Sequence, residues 1–230
     1  MTAVQAASPA RGAVMAARGL HRFYRRGGEE VAALRDVSLE VLPDETVAVV
    51  GPSGSGKSTL LGLLAGLDDP DGGAVWVAGE RVSHRSAAAQ AKLRGRLIGV
   101  LTQSSGLQDH LDVLGNLALA GSFRSRPPER RALLTLLDQV GLASRARARP
   151  ASLSGGETAR ANLAVALVGS PAVLLADEPT AEVSAEEEAA LLELLRSVRP
   201  GGSATVLVTH SAVVAAQADR RVRLVDGRAA

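Results

Sequence analysis

Residues 51–58 read Gly51, Pro52, Ser53, Gly54, Ser55, Gly56, Lys57, Ser58, and two very different apolar segments flank them. Before them, Thr46, Val47, Ala48, Val49 and Val50 form a short, mostly β-branched run that predicts a buried strand. After them, Thr59, Leu60, Leu61, Gly62, Leu63, Leu64 and Ala65 predict the start of a helix. A buried strand, a glycine-rich turn and a helix together give the pattern G-x-x-x-x-G-K-[ST] a physical meaning. Glycines let the backbone curl so that several N–H groups point inward and hold phosphate oxygens. The helix N-terminus adds partial positive charge. Lys57 can reach the β- and γ-phosphates, and the Ser58 hydroxyl can ligate Mg²⁺. With Thr59, these residues are the first candidate nucleotide-binding set. Lysine occurs only at Lys57 and Lys92, so the bare pattern would arise by chance in roughly one such chain in several hundred.

Composition narrows the class. The chain has 230 residues, long enough for a sizeable core in one or two domains. Hydrophobic residues make up 46% and aromatics only 2%, so that core must be built from Leu, Val and Ala. Lys and Arg number 26 against 24 Asp and Glu, a formal charge of +2, too balanced to argue for a nucleic-acid partner. There is no cysteine, hence no disulfide framework and no thiol chemistry. An uncharged apolar run near 161–176 is broken by Ser170 and Pro171 and ends at Asp177 and Glu178, so no transmembrane segment is expected. Residues 1–13 are rich in alanine, lack a leucine-rich signal core and read as a disordered tail. Met15, just before the first expected strand, is a conceivable alternative start.

Residues 14–50 read as short strands alternating with turns, including a polar Gly27-Gly28 turn. Strands are expected near 74–78, 97–101, 173–176, 205–209 and 222–225, and helices near 87–94, 157–167 and 185–198. Between about 104 and 152 the character changes. Two helical patterns, 111–120 and 129–140, are separated by a basic linker at 124–128, and another basic stretch at 145–150 closes the region; the basic runs 124–131 and 145–149 read as solvated faces. The whole predicts an α/β domain over 14–230 with a mainly parallel core sheet, an antiparallel N-terminal β region and a helical insertion.

Two further constellations carry chemistry. The strand 173–176 runs into Asp177 and Glu178. In a P-loop enzyme a strand-end aspartate holds Mg²⁺, which suits Asp177, and the next carboxylate, Glu178, can orient and deprotonate the attacking water. Ser154, Gly155, Gly156 and Glu157 open a helix and offer N–H groups and a hydroxyl, a second phosphate cap.

Leu153 to Glu157 (LSGGE), with a P-loop before it and LLADEPT after it, closely resembles the ATP-binding subunit of an ABC transporter, over about residues 20–227. GPSGSGKSTLLGLLAGLDDP, Tyr24 with the 27–34 segment, and the lack of a C-terminal regulatory domain most resemble the lipoprotein-release, macrolide-export and cell-division type. The resemblance implies a P-loop NTPase fold and an Mg²⁺-dependent ATPase. It implies a dimer of two such subunits docked on a separate permease at the cytoplasmic face of the membrane, working in export or mechanotransmission. By the same resemblance, Tyr24 stacks on adenine, with Phe23 as rival; Gln103 contacts Mg²⁺ or water and links the site to the insertion; His210 contacts the γ-phosphate. The P-loop lies in one subunit and LSGGE closes it from the other. There are departures. Ser184 stands where the family usually has an aspartate that helps connect the two sites, and Thr158-Ala159-Arg160 follows LSGGE where a glutamine pair or Gln-Arg is usual, Arg160 keeping a basic residue there. They leave open a second reading, a nucleotide-controlled structural subunit with weak turnover.

Overall fold

The structure is a computed structural model and describes residues 12–102, 106–124, 126–181 and 183–230. Three apolar runs form the middle of a six-stranded sheet: β3 (Thr46–Val50), β7 (Val173–Asp177) and β8 (Ala204–Val208). Nearly every residue in them is buried, as a strand covered on both faces requires. With β6 (Ile98–Leu101), β9 (Arg220–Val225) and β10 (Arg228–Ala229) the order is β10-β9-β3-β8-β7-β6. β9, β3, β8, β7 and β6 are parallel, and β10 closes one edge as an antiparallel hairpin.

The second sheet is antiparallel, in the order β2-β1-β4-β5. Its two long strands, β1 (Met15–Arg26) and β2 (Glu29–Val41), replace the short strands expected over 14–41. Register shifts between Ala17 and Phe23 interrupt the alternation. Extra residues at such bulges break the period-2 signal and make one bent strand look like several. The Gly27-Gly28 turn joins β1 to β2 with both glycines at positive φ, as a two-residue hairpin needs. β4 (Gly72–Val77) and β5 (Glu80–Arg81) complete the sheet.

Helix α1 (Lys57–Leu64) packs with β1–β4 and one face of the parallel sheet, burying Leu60, Leu63 and Leu64 with Val47, Val49 and Val206. The opposite face is covered by α5 (Gly155–Leu167), α6 (Ala185–Ser197) and α7 (Ala212–Ala216). Between β5 and β6 lies α2 (Ala87–Leu97). Helices α3 (Val113–Ser122) and α4 (Arg130–Gln139), with 3₁₀ turns at Ala143–Arg145 and Pro150–Ser152, build a third apolar cluster. α5 belongs to both: Leu163 and Leu167 face the sheet cluster, and Ala161 and Ala164 the helical one.

The basic linkers are not merely solvated. Arg124 donates to the Arg96 carbonyl (2.9 Å), Arg145 pairs with Glu157 (3.0 Å), and Arg149 donates to the His110 carbonyl. Arg124 and Arg145 staple the insertion to its surroundings, and Arg149 ties two parts of the insertion together. No helix among the described residues is long and apolar enough to cross a membrane.

Candidate active site

The carboxyl ends of β3, β7 and β8 open on one side of the sheet, where parallel α/β sheets bind ligands. A cavity of about 430 Å³ lies there, lined by the P-loop, Asp177, Glu178, Val208, His210, Ala33 and Tyr24.

The loop is held too closely for side chains at two points. A Cβ on Gly51 would lie 2.1 Å from the Leu224 carbonyl oxygen. One on Gly56, at φ +103°, would lie 2.4 Å from that of Ala33. Gly56 is also the N-cap of α1, so no side chain caps this helix. Its first N–H groups stay available, whereas α2, α3, α5, α6 and α7 are capped by Ser86, Asp112, Ser154, Ser184 and Ser211. Lys57 arches back over the loop, donating to the carbonyls of Gly51 (2.8 Å) and Pro52 (2.9 Å). Ser53, Gly54, Ser58 and Thr59 line the cavity, while Ser55 is buried inside the loop.

The carboxylates face this loop. Asp177 ends β7, and Glu178 follows in a left-handed conformation, φ +47°. That backbone is strained for a non-glycine residue, and the Glu178 N–H donates to the Val208 carbonyl, pinning it (2.9 Å). The Thr209 hydroxyl donates to Glu178 Oε2 (3.0 Å) and the His210 backbone N–H to Oε1 (3.0 Å). His210 Nδ1 lies 2.7 Å from Oε1, which sets the proton on Nδ1 and leaves Nε2 facing outward. Burial, then the Glu178 carboxylate, hold Asp177 above the usual carboxylate range, against the pull of Lys57. A divalent cation would relieve that unfavourable charge. Among the described residues no three His, Cys, Asp or Glu side chains converge as a metal cage. Asp177 and the Ser58 hydroxyl line the same cavity, and one or two protein oxygens are what Mg²⁺ takes when waters and substrate phosphates supply its other ligands.

Tyr24 lines the cavity, whereas Phe23 stacks against His21 (centroids 6.3 Å apart). Arg22 backs the Tyr24 ring at 4.9 Å and is itself held by Asp68 (2.7 Å) and Asp71 (3.3 Å). Arg22 and Thr209 escaped the sequence reading. The available signal was position: Arg22 lies two residues before Tyr24 on one strand, and Thr209 directly precedes His210.

Ser154, Gly155, Gly156 and Glu157 do not line this cavity. They open α5 and form a complete capping box: Ser154 Oγ accepts from the Glu157 N–H (3.2 Å), and the Glu157 carboxylate accepts from the Ser154 N–H (2.9 Å). The Ser154 hydrogen bond, then Arg145, lower the Glu157 pKa. Gln103 lies outside the described residues.

Residues 34–181 match the ABC transporter family. The chain belongs to that family. It is 40% identical over 219 residues to a lipoprotein-releasing system ATP-binding protein, LolD, of Pseudomonas syringae, covering 94% of this chain and 96% of the relative. It is 42% identical over 212 residues to the ABC transporter ATP-binding protein YbbA of Escherichia coli, covering 91% and 93%. The macrolide export ATP-binding/permease protein MacB of Hahella chejuensis matches at 37% over 90% of this chain but only 32% of its own length. A solved ATP-binding cassette, dimeric in a post-hydrolysis state with ADP and Pi, superposes with TM-score 0.85 at 32% identity, covering 94% of this chain and 96% of that one. The chain is thus an ABC-type ATP-binding cassette of the ATPase class.

Proposed function

We propose that this cassette is the ATP-hydrolysing subunit of an export or mechanotransmission transporter, working as a homodimer on a separate permease at the cytoplasmic face of the membrane. The observation that carries the reading is the 430 Å³ cavity in which the uncapped start of α1 and Lys57 face a Glu178 carboxylate held by Thr209 and His210.

ATP would place its phosphates in the 51–59 loop, with Tyr24 under the adenine. Ser58, Asp177 and Gln103 would hold Mg²⁺, which neutralises phosphate charge. Glu178 orients the attacking water and accepts its proton, Lys57 stabilises charge on the transferred phosphoryl group, and His210, when its ring carries both protons, donates from Nε2 to the same group. The cap at Ser154, Gly155, Gly156 and Glu157, absent from its own chain's cavity, would close the site of the second subunit. The dimeric solved cassette supports this arrangement.

The permease would dock in a cleft of about 610 Å³ between α2, β6 and α3, bordered by the exposed Leu67, Leu119 and Phe123. Val100, Gly106 and Gln108, on either side of residues 103–105 in the sequence, line the cleft. The firm hold on Glu178 favours real turnover over a purely regulatory subunit.

Glu178→Gln tests the reading. ATP binding stays and hydrolysis falls on the order of 10²–10⁴-fold, with an ATP-dependent dimer on size-exclusion chromatography. Unchanged turnover would mean that another group activates the water.

A further inference from the structure

The first turn of α6 lies between the turn that follows Glu178 and the α5 cap inside one chain. Ser184, standing where an aspartate is usual in this family, is the N-cap of α6. Its hydroxyl accepts from the Glu187 N–H (3.3 Å) and donates to Glu187 Oε2 (3.2 Å), which also takes the Ser184 N–H (3.4 Å). One carboxylate oxygen is enough for that capping box. The other, Oε1, is turned onto the buried Gly156, where an added Cβ would come within 2.3 Å of it. The next residue, Glu188, accepts from the buried Thr180 hydroxyl (3.0 Å). Thr180 lies in the turn that begins at Glu178, closed by the Ala181 N–H to the Glu178 carbonyl (3.1 Å) and the Val183 N–H to the Thr180 carbonyl (3.3 Å). Val183, Leu191 and Leu194 continue the α5–α6 contact beside Gly156 and Arg160. Glu178 and Thr180 thus share one turn, Thr180 reaches Glu188, and the neighbouring Glu187 lies against Gly156.

We propose that Glu187 is a positioning residue: its carboxylate, fixed by Ser184, sets Gly156 at a defined height relative to the Glu178 turn. Each subunit then couples its own hydrolytic site to the cap it lends its partner. The inference rests on the composite-site reading above. It also gives Ser184 a role, because an aspartate there would repel the carboxylate that touches Gly156, and serine admits it.

The test compares the full-length parent with Glu187→Ala, Glu187→Gln, Ser184→Asp and the double variant Ser184→Asp/Glu187→Gln. Four quantities are read: ATPase kcat, the Hill slope for ATP, nucleotide affinity of the dilute protein, and the melting midpoint. Glu187→Ala lowers kcat about tenfold, as a small misplacement of a reacting assembly does. It flattens the Hill slope towards one and leaves the affinity of the dilute protein unchanged. Glu187→Gln, which keeps shape and cap, retains most of kcat. Ser184→Asp lowers kcat, and adding Glu187→Gln restores it. A cooperative parent whose kcat and Hill slope survive in Glu187→Ala overturns the inference alone. So does a kcat loss matched by an equal loss of folded protein. A parent with no cooperativity and a rate strictly proportional to concentration overturns the composite-site reading, and this inference with it.

Discussion

Two helices of this cassette start with phosphate-binding chemistry, and they start differently. α1 begins on Gly56, without a side-chain cap, and Lys57 stands over its first turn. α5 begins on Ser154 and is closed on itself, with Glu157 returning to the Ser154 N–H and Arg145 holding Glu157. Both ends carry the same helix dipole. Only the second has a side-chain cap and a carboxylate in its first turn. An anion can be captured at α1 outright. At α5 a carboxylate already occupies the first turn, so this terminus can only complete the coordination of a phosphate held elsewhere. On the proposed reading the two termini are a binder and a closer, and a protein made of one copy of each gains by pairing.

The largest expected effect attacks the binder. Gly56→Ala forces a side chain into a left-handed backbone and against the Ala33 carbonyl. The strain is about 1–3 kcal/mol, or roughly ten- to a hundredfold in the population of the binding-competent loop. Calorimetric titration with a non-hydrolysable ATP analogue should show at least that loss of affinity in the dilute protein. Unchanged affinity would mean that the loop is not the binder.

Ser154→Ala addresses the closer and should do less. It removes an N-cap worth about 1 kcal/mol, lowering the melting midpoint by a few degrees. Affinity of the dilute protein for nucleotide should hold while steady-state ATPase falls. An equal drop in affinity would erase the distinction between the two termini.

Acid-base behaviour provides the smallest effect, with opposite signs at the two ends. Asp177 is held above the ordinary carboxylate range, so its folded form binds protons more readily than the unfolded chain. Its contribution to stability is present at low pH and is lost as pH rises through the raised pKa. Asp177→Asn should therefore gain melting temperature over the parent at neutral pH and not in acid. Glu157 is held below its ordinary value. Its contribution is present above the unfolded carboxylate range and is lost as pH falls through the lowered pKa. Glu157→Gln should be less stable than the parent at neutral pH and converge with it in acid. Melting curves across pH read both, and parallel trends would contradict the account.

Much of this was legible in the chain itself. β3, β7 and β8 are unbroken apolar runs because both of their faces are buried, and such runs announce themselves. The 51–58 loop declares its glycines, its lysine and its strand-helix context together. β1 and β2 were read as fragments because bulges between Ala17 and Phe23 interrupt the alternation on which the reading depends. Arg124, Arg145 and Arg149 were read as solvated because charge in a linker gives no hint of a carbonyl or carboxylate brought near by tertiary packing. Ser184 looked like a missing aspartate. Its partner, Glu187, is three residues on, and a capping box is visible in sequence, but the contact with Gly156 joins two helices and is not.

The central claim is that the binder and the closer of one site come from two chains. Its most direct measurement is ATPase rate against protein concentration at saturating ATP and Mg²⁺, starting below the dimer dissociation constant. The account predicts a rate rising more steeply than linearly, then becoming linear once the protein is paired. A strictly linear rate from a protein shown to be monomeric over the same range would contradict it.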